Sequence, residues 1–285
     1  MGVRRAVEIA LRAGANAPAP VFTWGELIHN HSVGERLVAR GVRPAETAAP
    51  AELPAACTVI IRAHGVPPAV AEGLRTSGRT VLDATCPLVK NNQTIIEKAA
   101  AAGRFVIIAG DADHAETVGL LARATAGGAV LTMPADAAGR NFPAGAVLLA
   151  QTTFSQEVFI QLAQILKARI PDLEVCNTIC AATAARQDEV AELAGRCPLV
   201  IIVGGAHSAN TRRLAEVARH AGARVMAVET AAGLCRAEVE TVAAVAVSAG
   251  ASTPEWEISA VMNKLREWGG NGCENLPGGD NCLKN

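Results

Sequence analysis

The stretch PLVIIVGGAHSANTRRLAE, Pro198 to Glu216, sets an apolar run of strand length against a polar turn and then a helical pattern through Leu214, Val217 and Ala218. A short apolar run without alternation reads as a strand buried on both faces, as in parallel sheets. Similar runs stand on either side of it. CTVIIRA from Cys57, TVLDA from Thr80, RFVIIAG from Arg104 and GAVLLAQ from Gly145 precede it, and RVMAVE from Arg224 and VAAVAVSAG from Val242 follow. Helical spacing lies between them, as in Val3, Ala6, Val7, Ala10 and Leu11, with glycines such as Gly14, Gly41, Gly103 and Gly222 closing the helices. Strand and helix alternate throughout, which predicts doubly wound α/β layers.

Nearly every apolar run ends in residues able to do chemistry: RAHG at Arg62, DATC at Asp83, GDADHAE at Gly110, QTT at Gln151, GGAHSAN at Gly204 and AGAS at Ala249. Open α/β sheets bind ligands outside the carboxyl ends of their strands. One sheet of so many strands would be large for 285 residues, so the expectation is two or three small α/β lobes around a shared cleft, with breaks near Ala84 and near Thr178; as three lobes these bounds give 1–84, 85–178 and 179–268. No literal repeat supports a lobe symmetry. Residues 269–285, dense in Gly and Asn and without a hydrophobic period, read as a flexible tail.

Composition narrows the function. Lys+Arg 26 against Asp+Glu 27 argues against a nucleic-acid-binding stripe or a polybasic membrane face, and 3% aromatics without Tyr argues against base stacking. There is no long apolar span and no signal-peptide pattern at MGVRRAVEIA, so the expected compartment is the cytoplasm. Eight cysteines are too sparse for a secreted disulfide scaffold.

Cys86 precedes Pro87, a residue suited to the first position of a helix, which puts the thiol at a helix N-cap. That place suits a thiolate nucleophile or metal ligand; a small buried cysteine at a strand end is the alternative. Cys180 also precedes a helical pattern, from about Thr183 to Leu193. No C-x-x-C occurs, so a metal site would have to be assembled from different lobes. Cys176, Cys57 and Cys197 read as core, and Cys235, Cys273 and Cys282 as bystanders. His29, His64 and His114 fall at strand ends or helix starts, whereas His31 and His220 read as surface. With Thr152, Ser208, Asn210 and Ser252, the three histidines resemble an anion pocket that a diphosphate would match. Glu116 fits two roles, a helix cap through Asp113-x-x-Glu116 or a proton donor beside imidazoles.

Taken in order, His29-Asn30, AHGV at Ala63, DATCPLV at Asp83, HAE at His114, QTT at Gln151, NTICAAT at Asn177, Arg186-Gln187, GGAHSANTRRLAE and AGAS-x-P resemble the LytB family of 4-hydroxy-3-methylbut-2-enyl diphosphate reductases. The likeness runs from Gly2 to about Trp268. It implies three lobes in pseudo-threefold arrangement around a 4Fe-4S cluster held by three cysteines, with Cys86 and Cys180 as two of them. It further implies that His29, His64, His114, Ser208, Asn210 and Ser252, with Thr152, hold the substrate, and that Glu116 supplies protons. The implied reaction is reductive removal of the allylic hydroxyl, giving isopentenyl and dimethylallyl diphosphates in the last step of the non-mevalonate pathway, with electrons from a donor such as ferredoxin or flavodoxin.

Three departures stand out. His207 replaces a family Asn and Ala209 an often-present Ser. The family's first cluster cysteine, in C-x-G-V, falls one position before Met1, since Gly2-Val3 match its G-V. The helical pattern from Gly2 also lacks an N-cap and a preceding strand, so the expectation is an internal start, with the first lobe lacking its first strand and the third cysteine upstream. The alternatives are a non-redox diphosphate-binding protein derived from the family and, more remotely, a zinc hydrolase using Cys86, Cys180 and a histidine.

Overall fold

The computed structural model describes residues 2–17, 20–45, 49–269, 273–275 and 281–284. Two compact units are present, one of residues 1–28 with 32–180 and one of 29–31 with 181–285. The expected passage near Ala84 is a step between two sheets inside the first unit, and the passage near Thr178 falls beside the boundary between the units.

The first unit holds two four-stranded sheets, both wholly parallel. The first contains β1 (Val21–Trp24), β2 (Val42–Pro44), β3 (Thr58–Ile61) and β4 (Thr80–Asp83) in the order β2-β1-β3-β4. Its helices are α1 (Gly2–Asn16), α2 (His31–Val38, whose first residue belongs to the other unit) and α3 (Pro68–Thr76). Alternation along β3 sorts the core. Ile60 faces Ala6, Ala10 and Ala13 of α1, and Val59 and Ile61 face Leu74 of α3. The second sheet contains β5 (Val106–Ala109), β6 (Gly128–Leu131), β7 (Val147–Ala150) and β8 (Glu174–Cys176) in the order β6-β5-β7-β8. Here α4 (Pro87–Ala101) and α5 (Ala115–Leu121) pack Ile96 and Leu120 on Val106, Ile108 and Leu149. On the other face α6 (Gln156–Lys167) packs Phe159, Leu162 and Leu166 on Ile107 and Leu148.

In the second unit β9 (Leu199–Val203), β10 (Arg224–Val228) and β11 (Ala244–Ala249) are parallel in the order β10-β9-β11. Leu193 of α7 (Ala181–Arg196) and Leu214 of α8 (Ala209–His220) cover Val200 and Ile202. After the short α9 (Arg236–Val239), α10 (Glu255–Glu267) covers Leu199, Ile201 and Val203 with Val261 and Leu265. The relative order second-first-third, extended by a fourth strand in the first two sheets, recurs in all three although the sequence has no literal repeat.

Two sequence expectations change. TVLDA and RVMAVE are edge strands, β4 and β10, and are partly exposed rather than buried on both faces. Within the supposed tail, backbone at Cys273–Asn275 (β12) and Asn281–Lys284 (β13) forms antiparallel strands, β13 on β11 and β12 on β13. Edge pairing uses backbone groups, so it needs no hydrophobic period. The rest of the expected tail, 270–272, 276–280 and 285, lies outside the described residues. No described helix is long and apolar enough to cross a membrane.

Candidate functional site

The order second-first-third puts a topological switch point between the first and third strands of each sheet, where ligands enter doubly wound folds. The candidate residues follow those strands. His64 comes after β3, His114 and Glu116 after β5, Thr152 after β7, Ser208 and Asn210 after β9, and Ser252 after β11. The two candidate thiols also have equivalent places, since Cys86 follows β4 and Cys180 follows β8, the fourth strand of each sheet.

In the first unit the rings of His64 and His114 meet edge to face, with centroids 5.2 Å apart. His64 is followed by Gly65 at φ 74, a turn that a β-carbon would strain and that lets the AHG loop fold back after β3. His114 is the N-cap of α5, its Nδ1 accepting the Glu116 backbone N–H at 3.2 Å. An accepting Nδ1 leaves Nε2 as the N–H of a neutral ring, a donor suited to an anion or a hydroxyl oxygen.

The cap thus belongs to His114, and the Glu116 side chain goes elsewhere. Its two oxygens accept the Thr152 backbone N–H and the Thr152 hydroxyl, each at 2.7 Å. The capping-box role open to Glu116 in the sequence is therefore not the one it takes. Only 1% exposed, its carboxyl is pushed up to about 7 by burial, while the two Thr152 hydrogen bonds pull the other way. A carboxyl balanced near neutrality can both give and regain a proton.

Three consecutive residues at the end of β7 tie this region together. Ala150 O accepts the Asn92 amide of α4 at 3.0 Å and the Thr178 hydroxyl at 2.7 Å, while Ala150 N donates back to Thr178 Oγ1 at 2.9 Å. Gln151 Oε1 accepts the Asp111 N–H at 2.8 Å and the Thr117 hydroxyl at 3.2 Å. Thr152 donates to Glu116 as described, and its carbonyl accepts the Cys180 N–H at 2.9 Å. Sequence reasoning named Gln151 only within the QTT run and did not single out Asn92 or Thr178. The one available signal was Asn92, a polar residue on the otherwise apolar Val89, Ile96, Ala99 face of α4.

Cys86 is the N-cap of α4 and Cys180 directly precedes α7, and both are half-buried. Thiols are the ligand type that holds iron-sulfur clusters, so these two residues could serve one. Gly2 lies against Cys86 so closely that a β-carbon there would overlap the sulfur. The other described cysteines do not extend this pair. Cys57 and Cys197 are buried in hydrophobic cores, Cys235 is exposed, and Cys176, its thiol pushed up by burial and by Glu174, contacts Glu174 Oε1 at 3.6 Å.

In the second unit Ser208 caps α8, its hydroxyl accepting the Thr211 N–H at 3.4 Å. Asn210 is 3% exposed and neither its Nδ2 nor its Oδ1 has a partner among the described residues. Ser252 Oγ donates to the His29 carbonyl at 3.4 Å, and that carbonyl would sit 2.7 Å from a β-carbon at Gly205. His29, Gly205 and Ser252 are thus neighbours. His207, the residue at the family's Asn position, is exposed.

The family profile described as LytB protein matches residues 1–266. A 4-hydroxy-3-methylbut-2-enyl diphosphate reductase of Treponema pallidum is 40% identical over 94% of this chain and 81% of its own length. One of Solidesulfovibrio magneticus is 39% identical over 89% of each. Among solved structures, the Plasmodium falciparum E-1-hydroxy-2-methyl-but-2-enyl-4-diphosphate reductase superposes with a TM-score of 0.86 at 27% identity, covering 92% of this chain and 83% of that one. An (E)-4-hydroxy-3-methyl-but-2-enyl diphosphate reductase, described as the terminal enzyme of the non-mevalonate pathway, gives 0.67 at 36% identity over 94% and 95%. With strand ends, fold and sequence in agreement along nearly its whole length, this chain belongs to the LytB family of oxidoreductases.

Proposed function

We propose that the chain catalyses reductive dehydroxylation of 4-hydroxy-3-methylbut-2-enyl diphosphate to isopentenyl and dimethylallyl diphosphates. The observation that carries this reading is the buried Glu116 carboxyl, held by Thr152 and balanced near pH 7 within a LytB-family chain. The reaction takes two electrons and two protons, breaks the allylic C–O bond, forms one C–H bond and releases the oxygen as water. Glu116 delivers a proton from its oxygen and is reprotonated afterwards. Thr152 fixes both carboxylate oxygens so that the proton has a defined direction. His64 and His114, and in the other unit His29, Ser208, Asn210 and Ser252, are the proposed donors to diphosphate and hydroxyl oxygens.

A 4Fe-4S cluster would supply the electrons, received in the cytoplasm from a small carrier such as ferredoxin or flavodoxin. Cys86 and Cys180 would be among the residues that hold it. The second reading is a non-redox protein of this family that binds the diphosphate without reducing it.

One experiment separates the two. The chain is reconstituted anaerobically with ferrous iron and sulfide, alone and with an upstream extension. Iron, acid-labile sulfide and product formation with a reduced viologen are then measured. Bound cluster with product supports the reductase; diphosphate binding with neither iron nor product in both forms establishes the second reading.

A further inference from the structure

The buried face of α4 runs Val89, Asn92, Ile96, Ala99. Three of these positions are apolar. Asn92 instead buries an amide completely, with Nδ2 on Ala150 O and Oδ1 without a partner among the described residues. An unsatisfied buried carbonyl is a cost without return for the fold alone. Ala150 O does not depend on that amide, because the Thr178 hydroxyl already serves it. Stability therefore does not explain Asn92.

Its placement does. Asn92 lies six residues along the helix that Cys86 caps, about 9 Å at 1.5 Å per residue. The hydrogen bond to Ala150 fixes that helix, in height and rotation, against the tip of β7. Thr178 bonds both the N–H and the carbonyl of Ala150 and stands two residues before Cys180. The next two residues of the strand tip hold Thr117 and Glu116. Both thiol-bearing segments and the acid are thus referenced to one tripeptide, Ala150 to Thr152.

We propose that Asn92 and Thr178 are positioning residues that set Cys86 and Cys180 relative to Glu116 through the end of β7. The consequence for turnover rests on the reductase reading, whereas the positioning itself does not.

The test uses the full chain without metal. Hydrogen–deuterium exchange is followed in segments 86–90, 150–153 and 178–182, together with the thermal midpoint, for Asn92→Leu, Thr178→Val and Thr178→Ser. Asn92→Leu is expected to keep or raise the midpoint while exchange in 86–90 and 150–153 quickens about tenfold, the scale of one lost hydrogen bond. Thr178→Val should do the same in 178–182, and Thr178→Ser should restore the parent rates. Unchanged exchange in these segments would overturn the proposal, as would a fall in midpoint with protection lost evenly across the unit. Should the leucine variant not fold, Asn92→Ala carries the same comparison. If the parent chain turns over, both disruptive variants should lower kcat about tenfold or more with KM within about twofold. Without turnover in the parent chain, the exchange rates alone decide this proposal.

Discussion

Glu116 and Asn210 occupy corresponding places in two sheets. Each is a buried polar residue in the first turn of the helix that follows the first strand, α5 after β5 and α8 after β9. Their surroundings are opposite. Both oxygens of Glu116 are hydrogen-bonded by Thr152, whereas neither polar atom of Asn210 has a partner among the described residues. A group that must change its charge has its geometry fixed by the protein. A group that must hold an anion can keep its bonding capacity for the ligand, at a cost of about 1–3 kcal/mol to the free chain. If that is the division of labour, substitutions at the two positions should fail in different ways.

The largest effect is expected at Glu116. Glu116→Gln keeps the shape and an acceptor for Thr152 but has no acidic proton, so kcat should fall by about two to four orders of magnitude with diphosphate affinity little changed. Steady-state kinetics beside a binding titration check this, and unchanged turnover would remove Glu116 from proton delivery. The same variant has a pH signature. The native carboxyl is raised from 4.5 to about 7, so between those values the folded chain holds a proton that the unfolded chain has lost. Stability from this group is complete below about pH 4.5 and declines until the pH passes about 7, by an amount on the order of 3 kcal/mol. Urea midpoints from pH 5 to 8 should show that decline in the parent and a flatter profile in Glu116→Gln.

Asn210→Leu should break the comparison from the other side. Removing two unpartnered buried atoms should leave the thermal midpoint unchanged or higher, while affinity for the diphosphate drops about tenfold to a hundredfold, the range for one or two hydrogen bonds to a charged group. Isothermal titration with inorganic diphosphate and a thermal melt suffice. A lower midpoint with intact affinity would make Asn210 a structural residue.

The sequence made this contrast only half visible. Apolar runs such as Val200–Ile202 and Ile107–Ile108 locate strands because burial on both faces leaves no alternation, and the polar residues after each run locate candidate chemistry. Edge strands were less legible. β4 and β10 carry a similar apolar composition but have one neighbour and partial exposure, and β12 and β13 pair through backbone that leaves no side-chain signature. At the site, the spacing Asp113-x-x-Glu116 pointed to a cap, yet the decisive bond spans 36 residues, from Thr152 to Glu116. Spacing along a helix reports its own turns and is blind to a neighbouring strand tip, which is why the QTT run marked Gln151 without its partners and the bond from Thr178 to Ala150 went unread.

The cysteines give the smallest and most selective effect. Cys57 packs with Val59, Ile61 and Leu74, and Cys197 with Leu193, Val200 and Leu214, so each behaves as a small hydrophobic side chain. Cys86 and Cys180 follow the fourth strands of two sheets at helix starts. Cys57→Ala and Cys197→Ala should each cost about 1 kcal/mol through a small cavity and leave iron content after reconstitution at the parent level. Cys86→Ala and Cys180→Ala should cost little in stability and remove iron, because they empty a ligand position rather than a core. Iron loss from Cys57→Ala or Cys197→Ala at unchanged stability would mean that burial in an apolar cluster does not separate structural thiols from ligands in this chain.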